Sequence, residues 1–179
     1  EKGKIELLRA LEHENATRWS QYGKNENDWF NSEKVRNAEQ LFKQAINLKP
    51  DNRDAHLYLG IIYMKKGWFS SAEEEFLNIL RKNKMDCKAL INLGILYTKM
   101  DRYLMAEKEL LRAYVIAPEE PTIAKNLTVL YRFYLNRPDS AMIWANRYLN
   151  MAPQNDFDVS YIRKELIEMI ERLLFFSLF

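Results

Sequence analysis

The side chains best suited to chemistry are few: Cys87, His13, His56 and two acidic clusters, Glu73-Glu74-Glu75 and Glu119-Glu120. Cys87 stands at an expected helix start, where the helix dipole can lower a thiol pKa. No histidine is near it in sequence, so it reads as a helix-start residue. A single cysteine forms no intramolecular disulfide and builds no cysteine-based zinc site. The two histidines lie far apart, and neither His-Glu-x-x-His nor Cys-x-x-Cys occurs. Gly3, Gly23, Gly60, Gly67 and Gly94 are too scattered for a phosphate-cradling loop. The acidic clusters fall near expected helix starts, where they offset the dipole without a metal. The expectation is a chain with no catalytic residue, no metal and no cofactor.

The elements that position these residues follow from composition and pattern. The 179 residues are 47% hydrophobic, enough for a buried core, and carry only five glycines and five prolines. So few turn formers exclude an all-β protein and a long disordered linker. A net charge of +2, with both signs interspersed, gives no nucleic-acid footprint. The chain opens on Glu1, so a missing leader excludes no compartment. The lone cysteine fits the cytoplasm, and the periplasm is compatible. The longest apolar run, Leu173-Leu174-Phe175-Phe176-Ser177-Leu178-Phe179, is far short of the roughly 20 residues of a membrane-spanning helix.

One spacing recurs along the chain. Ala38, Ala72, Ala106 and Ala141 are 34, 34 and 35 residues apart. Tyr63, Tyr97 and Tyr131 keep the 34-residue step, as do Leu59, Leu93 and Leu127. Gly60 and Gly94 follow it, with Thr128 in third place, and Pro50, Pro118 and Pro153 hold the register with Lys84 between them. Such a period is the mark of a repeat array. Small residues at Gly60, Gly94, Ala72 and Ala106 allow two helices to approach, while Leu59, Tyr63 and Phe76 fill the space between neighbours at helical spacing. His56 falls at a bulky position of the pattern and reads as a packing residue. The spacing predicts helices over 33–48, 54–66, 70–82, 88–100, 104–116, 121–135 and 139–151, with turns at Lys66-Gly67 and Met100-Asp101. One extra residue falls near Asn136-Arg137-Pro138. A short helix is expected at 4–15, and 17–31 is either a degenerate helix or a loop.

This pattern resembles the tetratricopeptide repeat family. One unit reads His56, Leu59-Gly60, Tyr63, Ala72, Phe76, Ile79; the next reads Leu90, Leu93-Gly94, Tyr97, Ala106, Leu110, Ala113, Pro118; the third reads Ala124, Leu127, Tyr131, Ala141, Ala145, Tyr148, Pro153. The resemblance implies an all-α fold, a right-handed α-solenoid of antiparallel helix pairs. It divides the chain into an N-terminal helix and degenerate first-repeat helix (1–32), the second helix of that repeat (33–52), three repeats (53–86, 87–120, 121–155), and a capping helix with apolar tail (156–179). Val159, Ile162, Leu166, Ile170 and Leu173 form the stripe expected to cap the array.

The resemblance also implies that the first helix of each unit lines a concave groove. Helical phase then places there Leu57, Tyr58, Ile61, Met64 and Lys65; Lys88, Ile91, Asn92, Ile95 and Lys99; and Lys125, Asn126, Val129, Arg132 and Phe133. The implied function is a non-catalytic scaffold or adaptor binding a protein or peptide segment, acidic with apolar anchors. A secretion-type chaperone for an extended client, or the regulatory or targeting module of a larger enzyme, are the alternatives. The two-carboxylate clamp of some members is not matched: Leu57, Ile61, Asn92, Thr122 and Asn126, or Gly23, Asn27, Tyr58, Lys88 and Asn92, supply at most two of its five groups. Phe175, Phe176, Leu178 and Phe179 leave the amphipathic pattern. They pack on the capping helix, bind another copy of the chain, or form an exposed end.

Overall fold

The computed structural model describes residue 2, residues 33–153 and residues 157–177, with side chains in the last stretch to Glu171. The segments 4–15 and 17–31 lie outside the described residues, as do Leu178, Phe179 and the side chains of Phe175 and Phe176. Among the described residues there are eight α-helices and no strand: α1 Glu33–Leu48, α2 Arg53–Lys65, α3 Phe69–Lys82, α4 Cys87–Lys99, α5 Tyr103–Ile116, α6 Pro121–Val129, α7 Pro138–Met151 and α8 Phe157–Ser177, with a π-helical stretch Leu130–Tyr134 continuing α6. The chain divides into two compact units, Glu1–Ala89 and Leu90–Phe179.

Local chemistry sets the helix ends. Asn52 accepts from the Ala55 N–H (3.2 Å), Asp86 from the Ala89 N–H (3.0 Å) and Glu120 from the Thr122 N–H (3.1 Å). These three N-terminal caps recur at the repeat step. Pro121 and Pro138 open α6 and α7, where the missing N–H costs nothing. Pro50, Pro118 and Pro153 stand two residues beyond the ends of α1, α5 and α7, where a helix cannot continue.

The turn between the two helices of a pair also recurs. Gly67, Asp101 and Asn136 take left-handed backbone with φ of 75°, 58° and 49°. Each turn closes with a bond back to the repeat tyrosine: Trp68 N–H to Tyr63 O (2.9 Å), Arg102 N–H to Tyr97 O (2.8 Å) and Arg137 N–H to Tyr131 O (2.9 Å). The third bond spans one residue more than the others. The extra residue is therefore taken up ahead of Asn136, by the wider π-turn, where the Leu135 N–H reaches Leu130 O at 3.0 Å.

In the unit Glu1–Ala89, Val35, Ala38 and Phe42 of α1 bury against Ala55, Leu59 and Ile62 of α2. α3 then packs on α2 through the tightest point of the pair. A Cβ added to Gly60 would lie 2.5 Å from Phe76 Cε1. In the unit Leu90–Phe179, a Cβ on Gly94 would lie 2.5 Å from Leu110 Cγ. In the next pair the sizes are exchanged: Thr128 stands at the glycine position and Ala145 opposite it, both buried. The Thr128 hydroxyl is satisfied by Ala124 O at 2.9 Å.

α8 caps α7 with Val159, Ile162, Leu166 and Met169, all buried. Ile170, expected in this stripe, is 41% exposed. The helix is rolled toward the side that carries Asp158, Glu165 and Met169, and the side chain of Leu173 is outside the described residues.

The glycine contacts give a direct test. Gly94→Val should overpack the pair and lower stability by about 1–3 kcal/mol. Leu110→Ala alone should cost about 2–5 kcal/mol through its cavity. The double variant, measured by urea unfolding, should cost clearly less than the sum of the two.

Candidate partner-binding surface

Each first helix carries the repeat leucine and its neighbours inward. Leu59, Leu93 and Leu127 are buried, as are Ile62, Leu96 and Leu130. A second strip, Leu57 and Met64 on α2 and Ile91 on α4, is also buried. These three, expected in the groove, present almost no surface. The equivalent positions in the third repeat are Lys125 and Arg132. Lys125 Nζ lies 2.7 Å from Asp158 Oδ2, and Arg132 Nε lies 3.2 Å from Glu165 Oε2. In the unit Leu90–Phe179 this strip of the third repeat therefore faces α8. α6 is covered on three sides, by α5, α7 and α8, so its open arc is narrower than one buried face would leave.

What stays partly open is a strip one step further round. In the unit Glu1–Ala89 it is Tyr58, Ile61 and Lys65, with exposed Lys88 at the start of α4. Tyr58 is held by a stack on Phe42, centroids 5.4 Å apart. In the unit Leu90–Phe179 it is Asn92, Ile95 and Lys99 on α4, then Asn126, Val129 and Phe133 on α6 and its π-turn. Lys99 and Phe133 are exposed. The Asn126 carboxamide donates to Thr122 O at 2.7 Å, which fixes its orientation and leaves its oxygen as an acceptor. The Arg132 guanidinium covers one side of the Phe133 ring at 5.6 Å.

His56 is buried, with Nδ1 2.6 Å from Glu75 Oε2 and Nε2 2.7 Å from Pro50 O. It ties the α1–α2 turn to α3, and neither ring nitrogen is open to a substrate or metal. Among the described residues no three His, Cys, Asp or Glu side chains gather as a metal cage. None of the described helices is long and apolar enough to cross a membrane.

Sequence reading missed a set of polar locks. Glu39 of α1 is buried and binds Lys43 and Lys66. Two repeats on, Glu107 accepts from Tyr131 Oη at 2.6 Å and Arg137 Nη1 at 3.0 Å. The signal was present: Ala-Glu recurs at 38–39, 72–73 and 106–107, each glutamate 24 residues ahead of a repeat tyrosine. In the last step both members change, to Met142 and Leu166. Asp86 adds a related lock, bonded to Arg53 Nε at 2.8 Å and Nη2 at 3.0 Å.

These environments move the titrations. Burial would raise Glu39, but hydrogen bonds from Lys43 and Lys66 outweigh it and hold the carboxyl below its ordinary range. Burial likewise opposes, and the Arg53 guanidinium and Ala89 N–H outweigh, at Asp86. The Tyr131 phenol is pushed up by burial and by the Glu107 carboxylate.

Residues 31–93 match the family model described as Tetratricopeptide repeat. The described residues are all-α, and their helices pair as in this repeat. The fold is similar to the crystal structure of MamA, with a TM-score of 0.63 and 18% identity over 86% of this chain and 95% of that one. It is also similar to PilF of Pseudomonas aeruginosa, with a TM-score of 0.73 and 17% identity over 98% of this chain and 71% of that one. At such identities the likeness shows the fold alone. No curated protein matches the sequence.

The carboxylate locks predict an acid limb of stability. A depressed folded pKa contributes stability that is complete above the unfolded carboxylate pKa of about 4 and is lost as the pH falls through the lower folded value. The melting temperature should therefore drop below about pH 4. Glu39→Gln and Asp86→Asn should lower it at neutral pH and flatten that acid limb in a thermal melt series.

Proposed function

We propose that the protein is a non-catalytic scaffold or adaptor that binds a segment of a partner protein along the open strips of its first helices. The observation that carries this reading is recurrence. Tyr58, Asn92 and Asn126 share one repeat position; Ile61, Ile95 and Val129 share a second; Lys65, Lys99 and Phe133 share a third. All nine are partly or fully open while their neighbours on the same helices are packed. In the unit Leu90–Phe179, Ile95 and Val129 are flanked by the amides Asn92 and Asn126 on one side and by Lys99 and Phe133 on the other, which suits a segment with apolar anchors and acidic residues. Apolar contact would supply most of the affinity, at about 25 cal/mol per Å² before association costs. Lys88 and Lys99 would act mainly on the association rate. Lys125 and Arg132 leave the partner-facing set, because both already serve α8.

Affinity capture with the full chain tests this division. Ile95→Asp with Val129→Asp should abolish partner recovery while the helical circular-dichroism signal is kept. Lys88→Glu with Lys99→Glu should slow association at low salt and matter little at high salt. Recovery of the same partners by the Asp variant would rule these strips out as the binding surface.

A further inference from the structure

The junction between α6 and α8 differs in kind from the junction that precedes it. On α4 the outer strip is Ile91 and Thr98, and the repeat positions that receive it on α6 are Ile123 and Leu130. One repeat later the same outer positions are Lys125 and Arg132, and the receiving positions on α8 are Asp158 and Glu165. Both sides change to charge together, with opposite sign, and the charges meet: Lys125 to Asp158 at 2.7 Å and Arg132 to Glu165 at 3.2 Å. The second pair is well shielded, with side chains 15% and 14% exposed.

An end cap needs only apolar cover. Val159, Ile162, Leu166 and Met169 provide it. Shielded ion pairs add little net stability over apolar packing of the same volume, because desolvation offsets the attraction. What they add is register, and a penalty for any helix that lacks the matching charges. The helix that fits this face is specified by α8 itself: two carboxylates seven residues apart, beside an apolar stripe at i, i+3 and i+7.

We propose that α8 is a displaceable strap. It occupies, within the chain, a docking face on α6 and α7 for an acidic amphipathic helix of a partner protein. This face is distinct from the open strips of the first helices, so the two readings stand or fall separately. The strap is set by Lys125 and Arg132, which any competing helix must also satisfy.

The test uses the full chain and a fluorescent synthetic helix of the sequence 157–171. In the Asp158→Asn/Glu165→Lys variant, amide hydrogen exchange over α8 should rise at least about tenfold while α4 and α5 stay protected. That variant should bind the synthetic helix at least about tenfold more tightly than the parent chain, whose own α8 blocks the face. A synthetic helix carrying Glu165→Lys should not bind it. In the parent chain, high salt should speed exchange over α8 and leave α4 unchanged. Unaltered protection of α8 after the charge change would overturn the proposal, since apolar cover alone would then hold the cap. A freed α8 with no binding of the synthetic helix would overturn it equally. If the double variant loses its helical signal as a whole, the salt dependence of exchange in the parent chain decides: equal change in α8 and α4 would sink the strap.

Discussion

The two helices of the Gly60 and Gly94 repeats lie close because one side chain is missing between them. At Gly60 and Gly94 even a methyl group would fall 2.5 Å from the aromatic or aliphatic atom opposite. Real carbon contacts are far longer, so the inter-helix distance is set by these points. Everything else in the pair adjusts to that distance. The large residue opposite, Phe76 or Leu110, is buried because it fills the space the glycine leaves. Thr128 opposite Ala145 shows that volume, not glycine itself, is the constraint. One side of the contact grows as the other shrinks, and the pair keeps its packing.

This constraint made the fold legible from residue spacing. The step of 34 places the glycine, leucine and tyrosine on one helix and the alanine and phenylalanine on the next, and the helices observed begin and end within a residue or so of those expected. The position of the inserted residue was less legible. Alanine spacing shows that 35 residues separate Ala106 from Ala141, yet the Tyr97-to-Tyr131 step is still 34. Sequence alone puts the extra residue anywhere after Tyr131, and the visible breakers at Asn136 and Pro138 draw attention there. Backbone hydrogen bonding absorbs it earlier, because widening one helical turn preserves the left-handed residue that closes the motif.

The surface was legible in part, for a geometrical reason. Helical phase separates an inner face from an outer one but does not say how many neighbours a helix has. α6, for example, meets α5, α7 and α8. Leu57, Met64 and Ile91 look available on a helical wheel with one buried face and are buried in the structure. Tyr58, Ile61 and Lys65, and their equivalents, occupy the arc that remains. The roll of α8 has the same origin. An apolar stripe alone would take Ile170 as readily as Met169, and the carboxylates of Asp158 and Glu165, drawn to their cations, turn the helix toward Met169.

Polar pairing in this chain is distributed by position along the array. Glu107 holds Tyr131 of the next helix and Arg137 of the turn after it, so a half-buried carboxylate meets both a phenol and a guanidinium. Where the same site meets α8 the glutamate has become Met142 and the tyrosine Leu166. Retaining only one polar member would strand a buried group at a cost of about 1–3 kcal/mol, so the two change as a pair. At the neighbouring strip the exchange runs the other way, from aliphatic residues to Lys125, Arg132, Asp158 and Glu165. α8 therefore reads its own site and would mismatch the interior ones. Set on α4 in place of α6, its Asp158 and Glu165 would face Ile91 and Thr98, with no cation to meet them. A helix written this way has one address in the chain, which is the property required of a segment that leaves its site and returns to it.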